Sequence, residues 1–281
     1  MKNEIRGSLG RWRRDPRNLF FLISAAGLLL YFLLSFRYGG ALYAWTVQEN
    51  DPSIRFIDYF SHLQSVENPP LLYHQIDWDA LAIRCWNEME QIMRVCPCVL
   101  LSELNDRGIA TSCEIDLTSA ISMRAMQLAS EQPTAVLDWN NNYGDEENKV
   151  ILFHCGSTAK SLMTDSGHVT SHKMFDKNDP GSGWGTNEGR IRPMDTTISN
   201  CLTVDGKIKF YASEGRFTDD PIEDAYFGCA GVCEIPDLEN KLIRLARGGF
   251  KHHTCVGVGH MKHILKEAMT VYLGYDWVEI D

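Results

Sequence analysis

The chain has 281 residues, 44% of them hydrophobic, which is enough for one large folded domain or two small ones. Its formal net charge of −10 argues against non-specific nucleic-acid binding, which needs clustered positive charge. The nine cysteines are odd in number and scattered along the chain. That distribution does not suit a disulfide framework and favours a reducing cytoplasm.

Residues 1–50 differ in character from the rest of the chain. Several arginines precede an apolar run at residues 19–36, which is barely long enough to span a bilayer. Three interpretations stay open: a membrane anchor, a buried segment of a truncated or rearranged α/β domain, and a secretion signal. An anchor with this basic flank would place the globular part outside the cytoplasm, which conflicts with the free cysteines.

The next elements lead to an acidic residue at the end of a predicted strand. Apolar residues recur along one face of residues 76–93 and predict a helix, with Arg84 on a different face, where a solvated or salt-bridged role is the alternative. A short buried strand at residues 95–100 and a helical turn at residues 102–107 should follow. Gly108 would end that turn, and the chain then enters the strand that carries Glu114.

A strand–helix–strand unit is predicted between residues 109 and 156. Its helix is Leu117–Ser130, capped by Asp116, and its second strand ends at Asp138. A third strand, Lys149–His154, should lie beside the first two in a mainly parallel sheet. Since the carboxyl ends of parallel strands face one crevice, we expect Glu114 and Asp138 to converge.

Two converging carboxylates plus a histidine suit a hard or borderline divalent metal. The spacing alone fits another interpretation equally well, in which Glu114 caps or salt-bridges and Asp138 begins a turn. A third ligand candidate is the His252-His253 pair near the C-terminus. Adjacent histidines on an extended segment point in opposite directions, so only one readily faces the crevice, and both could instead be surface residues.

After residue 156 the pattern changes to short strands and turns. Alternating residues on either side of Asp205-Gly206 predict a hairpin, with further strands near residues 226–234 and 254–258 and a helix at residues 237–247. Trp184 lies in a glycine-rich stretch, residues 176–189, which we interpret as a loop. Its ring could stack on a sugar or anchor the loop.

The predicted fold class is therefore α/β, with a partial parallel-sheet α/β unit followed by a β-rich, barrel-like C-terminal domain. The predicted divisions are residues 1–50, 51–156 and 157–281.

Residues 82–156 carry five short motifs in a specific order. They are Arg84-Cys85-Trp86, Leu104-Asn105-Asp106-Arg107-Gly108-Ile109, Cys113-Glu114-Ile115-Asp116, Leu137-Asp138-Trp139-Asn140 and Leu152-Phe153-His154-Cys155-Gly156. In these motifs the chain resembles the L-fucose isomerase and L-arabinose isomerase superfamily, closest to the fucose isomerase side. The resemblance extends more weakly to the C-terminus and does not cover the first 36 residues.

The resemblance implies a metal-dependent aldose–ketose isomerase that acts through an ene-diol on an open-chain sugar. Mn²⁺ or another divalent metal would be held by Glu114, Asp138 and His253, with His252 as the alternative histidine. The two carboxylates would also transfer the proton. The resemblance also implies a barrel-like C-terminal region.

Candidate substrate-binding residues are His154, Trp184, Arg84 and His252. Because Asp138 rather than a glutamate holds the second ligand position, the fucose-type ligand set is favoured. His154 is then expected to lie behind the ligands or to face the substrate, and a structural role is the alternative.

Family enzymes are considerably longer, with α/β domains ahead of the matched region and an active site near a subunit interface. The resemblance therefore implies a homo-oligomer, and the cysteine distribution places it in the cytoplasm. Two alternatives stay open. The chain could be a non-catalytic metal-binding fragment that associates with a full-length relative, at a membrane if residues 19–36 are an anchor. It could also be the product of a mis-assembled reading frame with a foreign N-terminus.

Overall fold

The computed structural model describes residues 79–85, 89–90, 94–165, 167–177, 183–224 and 226–281, which all belong to one unit, Trp78–Asp281. The apolar run at residues 19–36 lies outside the described residues, so the interpretations of that run stay predictions. Within the described part of the chain, no helix combines the length and apolarity needed to cross a membrane.

Eleven strands and five helices, in chain order, make up the described fold. The strands are β1 (Ala80–Ala82), β2 (Ala110–Ser112), β3 (Thr134–Asn142), β4 (Lys149–His154), β5 (His168–Ser171), β6 (Trp184–Arg190), β7 (Met194–Val204), β8 (Lys207–Phe217), β9 (Cys229–Glu234), β10 (His253–Val258) and β11 (Asp276–Trp277). The helices are α1 (Cys98–Asp106), α2 (Leu117–Ser130), α3 (Lys173–Asp176), α4 (Leu238–Arg247) and α5 (Lys262–Glu267). A 3₁₀ turn, Lys160–Leu162, follows β4, and a π-helical turn, Ala268–Tyr272, follows α5.

The strands form a small sheet and a large one. β1 and β2 pair in parallel, and the other nine strands form a mixed sheet in the order β11-β8-β7-β10-β3-β4-β9-β6-β5. β8 also pairs with β9 at two positions, so six strands join in a partial ring. The predicted barrel-like region is thus a partial ring and not plainly a barrel. It includes β3 and β4, and the predicted boundary at residue 156 stays a prediction.

Strand alternation divides the core into two main layers. Leu137, Leu152 and Ile198 are fully buried on one face of the large sheet. Val136 and Cys255 point to the opposite face, where they pack against the helix α2 through residues such as Met123 and Met126. The pairing of β3 with β10 therefore fixes which of their side chains face α2, and the candidate site lies on that face.

Several local predictions are confirmed. The helix α2 has the predicted bounds, and Asp116 caps it by accepting a hydrogen bond from Ser119 N at 3.0 Å. The hairpin of β7 and β8 turns at Asp205-Gly206, where both residues have positive φ. β9, β10 and α4 also occupy the predicted positions.

Other predictions are wrong. The strands before Glu114, at Asp138 and at His154 are not neighbours in one parallel sheet, because β2 pairs with β1 whereas β3 and β4 pair with each other in antiparallel fashion. The predicted helix at residues 76–93 is wrong at Ala80–Ala82, a strand whose backbone pairs with β2, whereas Cys85, Met89 and Glu90 are π-helical. The short strand expected at residues 95–100 is reduced to a bridge at Val95, and helix α1 begins at Cys98.

Candidate metal centre

Two site residues are direct partners in an antiparallel ladder. His253 on β10 lies opposite Asp138 on β3, and two positions further along Cys255 lies opposite Val136. Side chains two residues apart share a face of a sheet, so Asp138 and His253 both lie on the face covered by α2. The ladder therefore brings a carboxylate and an imidazole together at the end of β10 nearest Asp116.

Glu114 reaches the same place from a turn. It follows β2, and both Glu114 and Ile115 have positive φ, at 58° and 56°. This conformation is uncommon for residues other than glycine and turns the chain sharply between β2 and α2. Contacts to the segment that follows β1 secure this turn, because Glu114 N donates to Cys85 Sγ at 3.3 Å and Ile115 N donates to Ile83 O at 3.1 Å.

The imidazole of His253 is the centre of the cluster. Its Nε2 lies 3.2 Å from Glu114 Oε2 and 3.4 Å from Asp138 Oδ1, and its side chain is 5% exposed. Its Nδ1 lies 2.8 Å from Asp116 Oδ2. One buried ring thus contacts three carboxylates, two on one nitrogen and one on the other.

Charge in this cluster follows from the contacts of His253. Burial opposes the charge on the ring, yet the hydrogen bonds to Asp116 and Glu114 outweigh burial and raise the pKa of His253 to about 9. The hydrogen bond with His253 lowers the pKa of Glu114, although burial opposes it. Burial also acts against the charge on Asp116, but its bond to His253 and the charge of Lys251 hold that pKa well below the usual value. A divalent cation would compete with the proton on Nε2.

His154 is a buried neutral neighbour of His253. The two rings are 5.5 Å apart between centroids and nearly perpendicular. Two thiols contact the His154 ring, with Cys113 Sγ 3.4 Å from Nε2 and Cys155 Sγ 3.3 Å from Nδ1. Burial lowers the pKa of His154 although the charge of Asp138 opposes this, which favours the neutral ring.

The remaining sequence-predicted candidates lie nearer the surface. The His252 side chain is 71% exposed, and its Nε2 is 3.7 Å from Asp138 Oδ1. Arg84 is exposed and lies between two residues that contact the Glu114 turn, Ile83 and Cys85. Trp184 is 56% exposed and begins β6 instead of lying in a loop, because its backbone pairs with Val95 and Cys96.

Two groups at or near the site were not assigned to it from the sequence. Asp116 was expected only as a helix cap. Its contact with His253 joins residues 137 positions apart in the sequence, so no local sequence pattern predicts it. Glu90 is fully buried. Burial raises the pKa of Glu90 to about 7 against a hydrogen bond with the Cys96 thiol that lowers it, and the negative charge of Glu114 adds to the rise.

The donor set fits a divalent metal. Ligand atoms of Glu114, His154 and His253 lie within 4.8 Å of one another, as do those of Asp138, His252 and His253. The two sets share His253, and each contains one of the two predicted carboxylates. Asp138 Oδ1 is buried, and its polar neighbours include the imidazole nitrogens of His253, at 3.4 Å, and of His252, at 3.7 Å, so a cation bound there would contact the same groups.

Comparisons with known proteins indicate the family that the chain resembles. Residues 152–281 match the family described as L-fucose isomerase, C-terminal domain. The resemblance to the L-fucose isomerase superfamily is confirmed.

Relatives of the chain include a sulfoquinovose isomerase of Priestia aryabhattai and one of Priestia megaterium. Each is 31% identical over 227 residues, which are 79% of this chain and 47% of the relative. A sulfoquinovose isomerase of Clostridium sp. (strain MSTE9) is 35% identical over 145 residues, which are 50% of this chain and 31% of that relative. The chain thus spans about half the length of the Priestia relatives.

Proposed function

We propose that this chain carries the metal-binding part of an aldose–ketose isomerase. The observation that supports this most directly is His253 Nε2 facing both Glu114 and Asp138, in a chain related to L-fucose isomerase. The metal would be Mn²⁺ or a similar divalent ion, held by Glu114, Asp138 and His253. His154 and His252 are near enough to take part.

When bound, the ion would polarise the carbonyl and the adjacent hydroxyl of an open-chain sugar and acidify the C–H bond between them. Glu114 and Asp138 would transfer the proton between the two carbons through an ene-diol, as general base and acid. Flanking one imidazole nitrogen, they can approach a bound substrate from two sides. Burial of His253 and His154 would limit water at the reacting carbons.

The substrate class follows from the relatives. Because they are named sulfoquinovose isomerases, we propose sulfoquinovose as the first sugar to test and L-fucose as the second. Arg84, His252 and Trp184 are exposed candidates for contact with parts of the sugar away from the metal, and His154 is a buried one. We place the chain in the cytoplasm, since all nine cysteines are free, and expect it to act as a homo-oligomer.

A second candidate function is a non-catalytic metal-binding fragment that assembles with a full-length relative. The length comparison favours it, since the chain spans 47% of the Priestia relatives. Metal coordination fixes only one side of a sugar, and the orientation of the reacting carbons needs the remaining wall of the pocket. We expect the isolated chain to bind metal and to be weak or inactive as an isomerase.

The test is a turnover assay on the purified chain, with and without Mn²⁺, alone and mixed with a full-length relative inactivated at the glutamate matching Glu114. Metal-dependent formation of ketose, in either setting, would support the proposal. Glu114→Gln in this chain should abolish that turnover, whereas Glu147→Gln, in an exposed turn, should leave it unchanged. Metal binding without turnover in any mixture would favour the non-catalytic fragment. A wild-type chain that neither binds metal nor turns over sugar in any mixture would refute the proposal.

A further inference from the structure

The Asp116 carboxylate contacts both the start of α2 and the ring of His253, and Ser119 Oγ also donates to its Oδ2 at 2.5 Å. Oδ1 accepts a hydrogen bond from Ser119 N at 3.0 Å, which caps α2. Oδ2 lies 2.8 Å from His253 Nδ1, on the far side of the ring from Glu114 and Asp138. The Asp116 side chain is only 8% exposed, so the second contact is made away from water.

The contact decides which nitrogen of His253 is available to a ligand. A neutral imidazole carries its proton on one nitrogen and offers the lone pair of the other. A carboxylate that accepts from Nδ1 keeps the proton there and leaves the lone pair on Nε2. Nε2 is the atom that faces Glu114 Oε2 and Asp138 Oδ1.

Neighbouring groups hold both partners in place. Lys251 Nζ pairs with Asp116 Oδ1, and Thr118 Oγ1 donates to the same oxygen at 2.9 Å. Asn200 Nδ2 donates to the backbone oxygen of His253 and lies 3.1 Å from Ser119 Oγ. The start of α2 and the start of β10 are therefore tied together on both sides of the Asp116–His253 contact.

We propose that Asp116 is a positioning residue for the metal centre, which orients the His253 ring and reserves Nε2 for the cation. This inference rests on the proposed function, since that function makes His253 a metal ligand. Carboxylates that hold the second nitrogen of a metal-binding histidine typically contribute about 10- to 100-fold to metal affinity. Loss of the Asp116 carboxylate should weaken Mn²⁺ binding by about that factor.

Two substitutions separate this role from helix capping. Asp116→Asn and Asp116→Ser both retain a good cap, because asparagine and serine rank with aspartate at that position. Neither supplies an anionic oxygen to His253. The matched control is Asp106→Asn, since Asp106 also accepts backbone hydrogen bonds, from Lys160 N at 2.8 Å and Ser161 N at 3.2 Å.

Two measurements on the full chain decide the matter. Calorimetric titration with Mn²⁺ should show about 10- to 100-fold weaker binding for both Asp116 variants and less than a twofold change for Asp106→Asn. Nitrogen-15 NMR of the metal-free protein at pH 10, assigned with His253→Gln, should show the His253 proton on Nδ1 in the wild type and on Nε2 in the variants.

Affinity within twofold of wild type together with an unchanged ring proton would overturn the inference and leave Asp116 as a cap alone. If the wild-type chain binds no Mn²⁺, the proposed function fails, and the NMR result still decides whether Asp116 sets the proton position of His253. Two variants are used so that misfolding of one leaves the other to report.

Discussion

His253 and Asp138 face each other across the antiparallel ladder of β10 and β3, with His253 Nε2 3.4 Å from Asp138 Oδ1. The backbone continues the pairing beyond the ladder, because Trp139 N donates to His252 O at 2.7 Å. Register in a sheet is set by buried side chains on its faces, so the packing of Val136 and Cys255 also holds the two site residues opposite each other. The core and the candidate metal centre are thus coupled.

Metal binding should stabilise the folded chain, and Asp138 should be needed for it. An ion that binds only the folded state at about 100 times its Kd adds about 2.7 kcal/mol to the free energy of unfolding. Asp138→Asn should remove most of this gain, since the amide offers no anionic oxygen. Thermal unfolding with and without Mn²⁺ measures the gain.

The matched control for this measurement is Asp145→Asn, in the exposed turn after β3, which should keep the wild-type shift. An equal Mn²⁺-induced shift in Asp138→Asn and the wild type would show that Asp138 is not a ligand.

Gly228 should be far less replaceable than Gly206, although both have positive φ, at 70° and 73°. A Cβ at Gly228 would collide with the His154 carbonyl oxygen and lie 2.9 Å from the Cys155 backbone, whereas one at Gly206 meets nothing within 4 Å. Gly206→Ala should cost about 1 kcal/mol, the usual penalty of a left-handed alanine. Gly228→Ala should cost about 2–4 kcal/mol, because the clash adds to that penalty.

Urea unfolding of the two glycine variants gives both values. Equal losses would mean that the end of β4 can move away from residue 228 without cost.

Glu90 should make the metal-free protein less stable as the pH rises. Its folded-state pKa is about 7, above the ordinary value of 4.5, so the folded state binds this proton more tightly than the unfolded state does. The free-energy cost of ionising the buried group is absent below pH 4.5, grows as the pH rises towards 7 and is complete above 7, where it reaches about 3 kcal/mol.

Glu90→Gln should remove this cost. The free energy of unfolding should therefore fall less between pH 5 and pH 8 in the variant than in the wild type. Chemical denaturation at the two pH values tests this, with the exposed Glu147→Gln as the control. A wild-type pH dependence that persists unchanged in Glu90→Gln would contradict the assignment.

Local patterns predicted the elements whose formation depends on neighbouring residues. Asp116 followed by a helical run marked α2, and Asp205-Gly206 between alternating strands marked the β7–β8 hairpin. Local patterns failed where pairing partners were distant. The apolar residues around Ala80–Ala82 recur at helical spacing, yet the backbone of these residues pairs in parallel with β2, about 30 residues further along the chain.

The sequence by itself determined the residue types of the candidate site and their positions near the ends of predicted elements. Motifs of a few residues are enough to predict the residue types, since carboxylates and imidazoles are common metal ligands wherever they occur in a sequence. Only the tertiary structure decided how Glu114, Asp138 and His253 meet. They converge through an antiparallel ladder and a left-handed turn, not through the carboxyl ends of one parallel sheet. The physical reason is that strand order and direction depend on long-range backbone hydrogen bonds and core packing, which no short stretch of sequence contains.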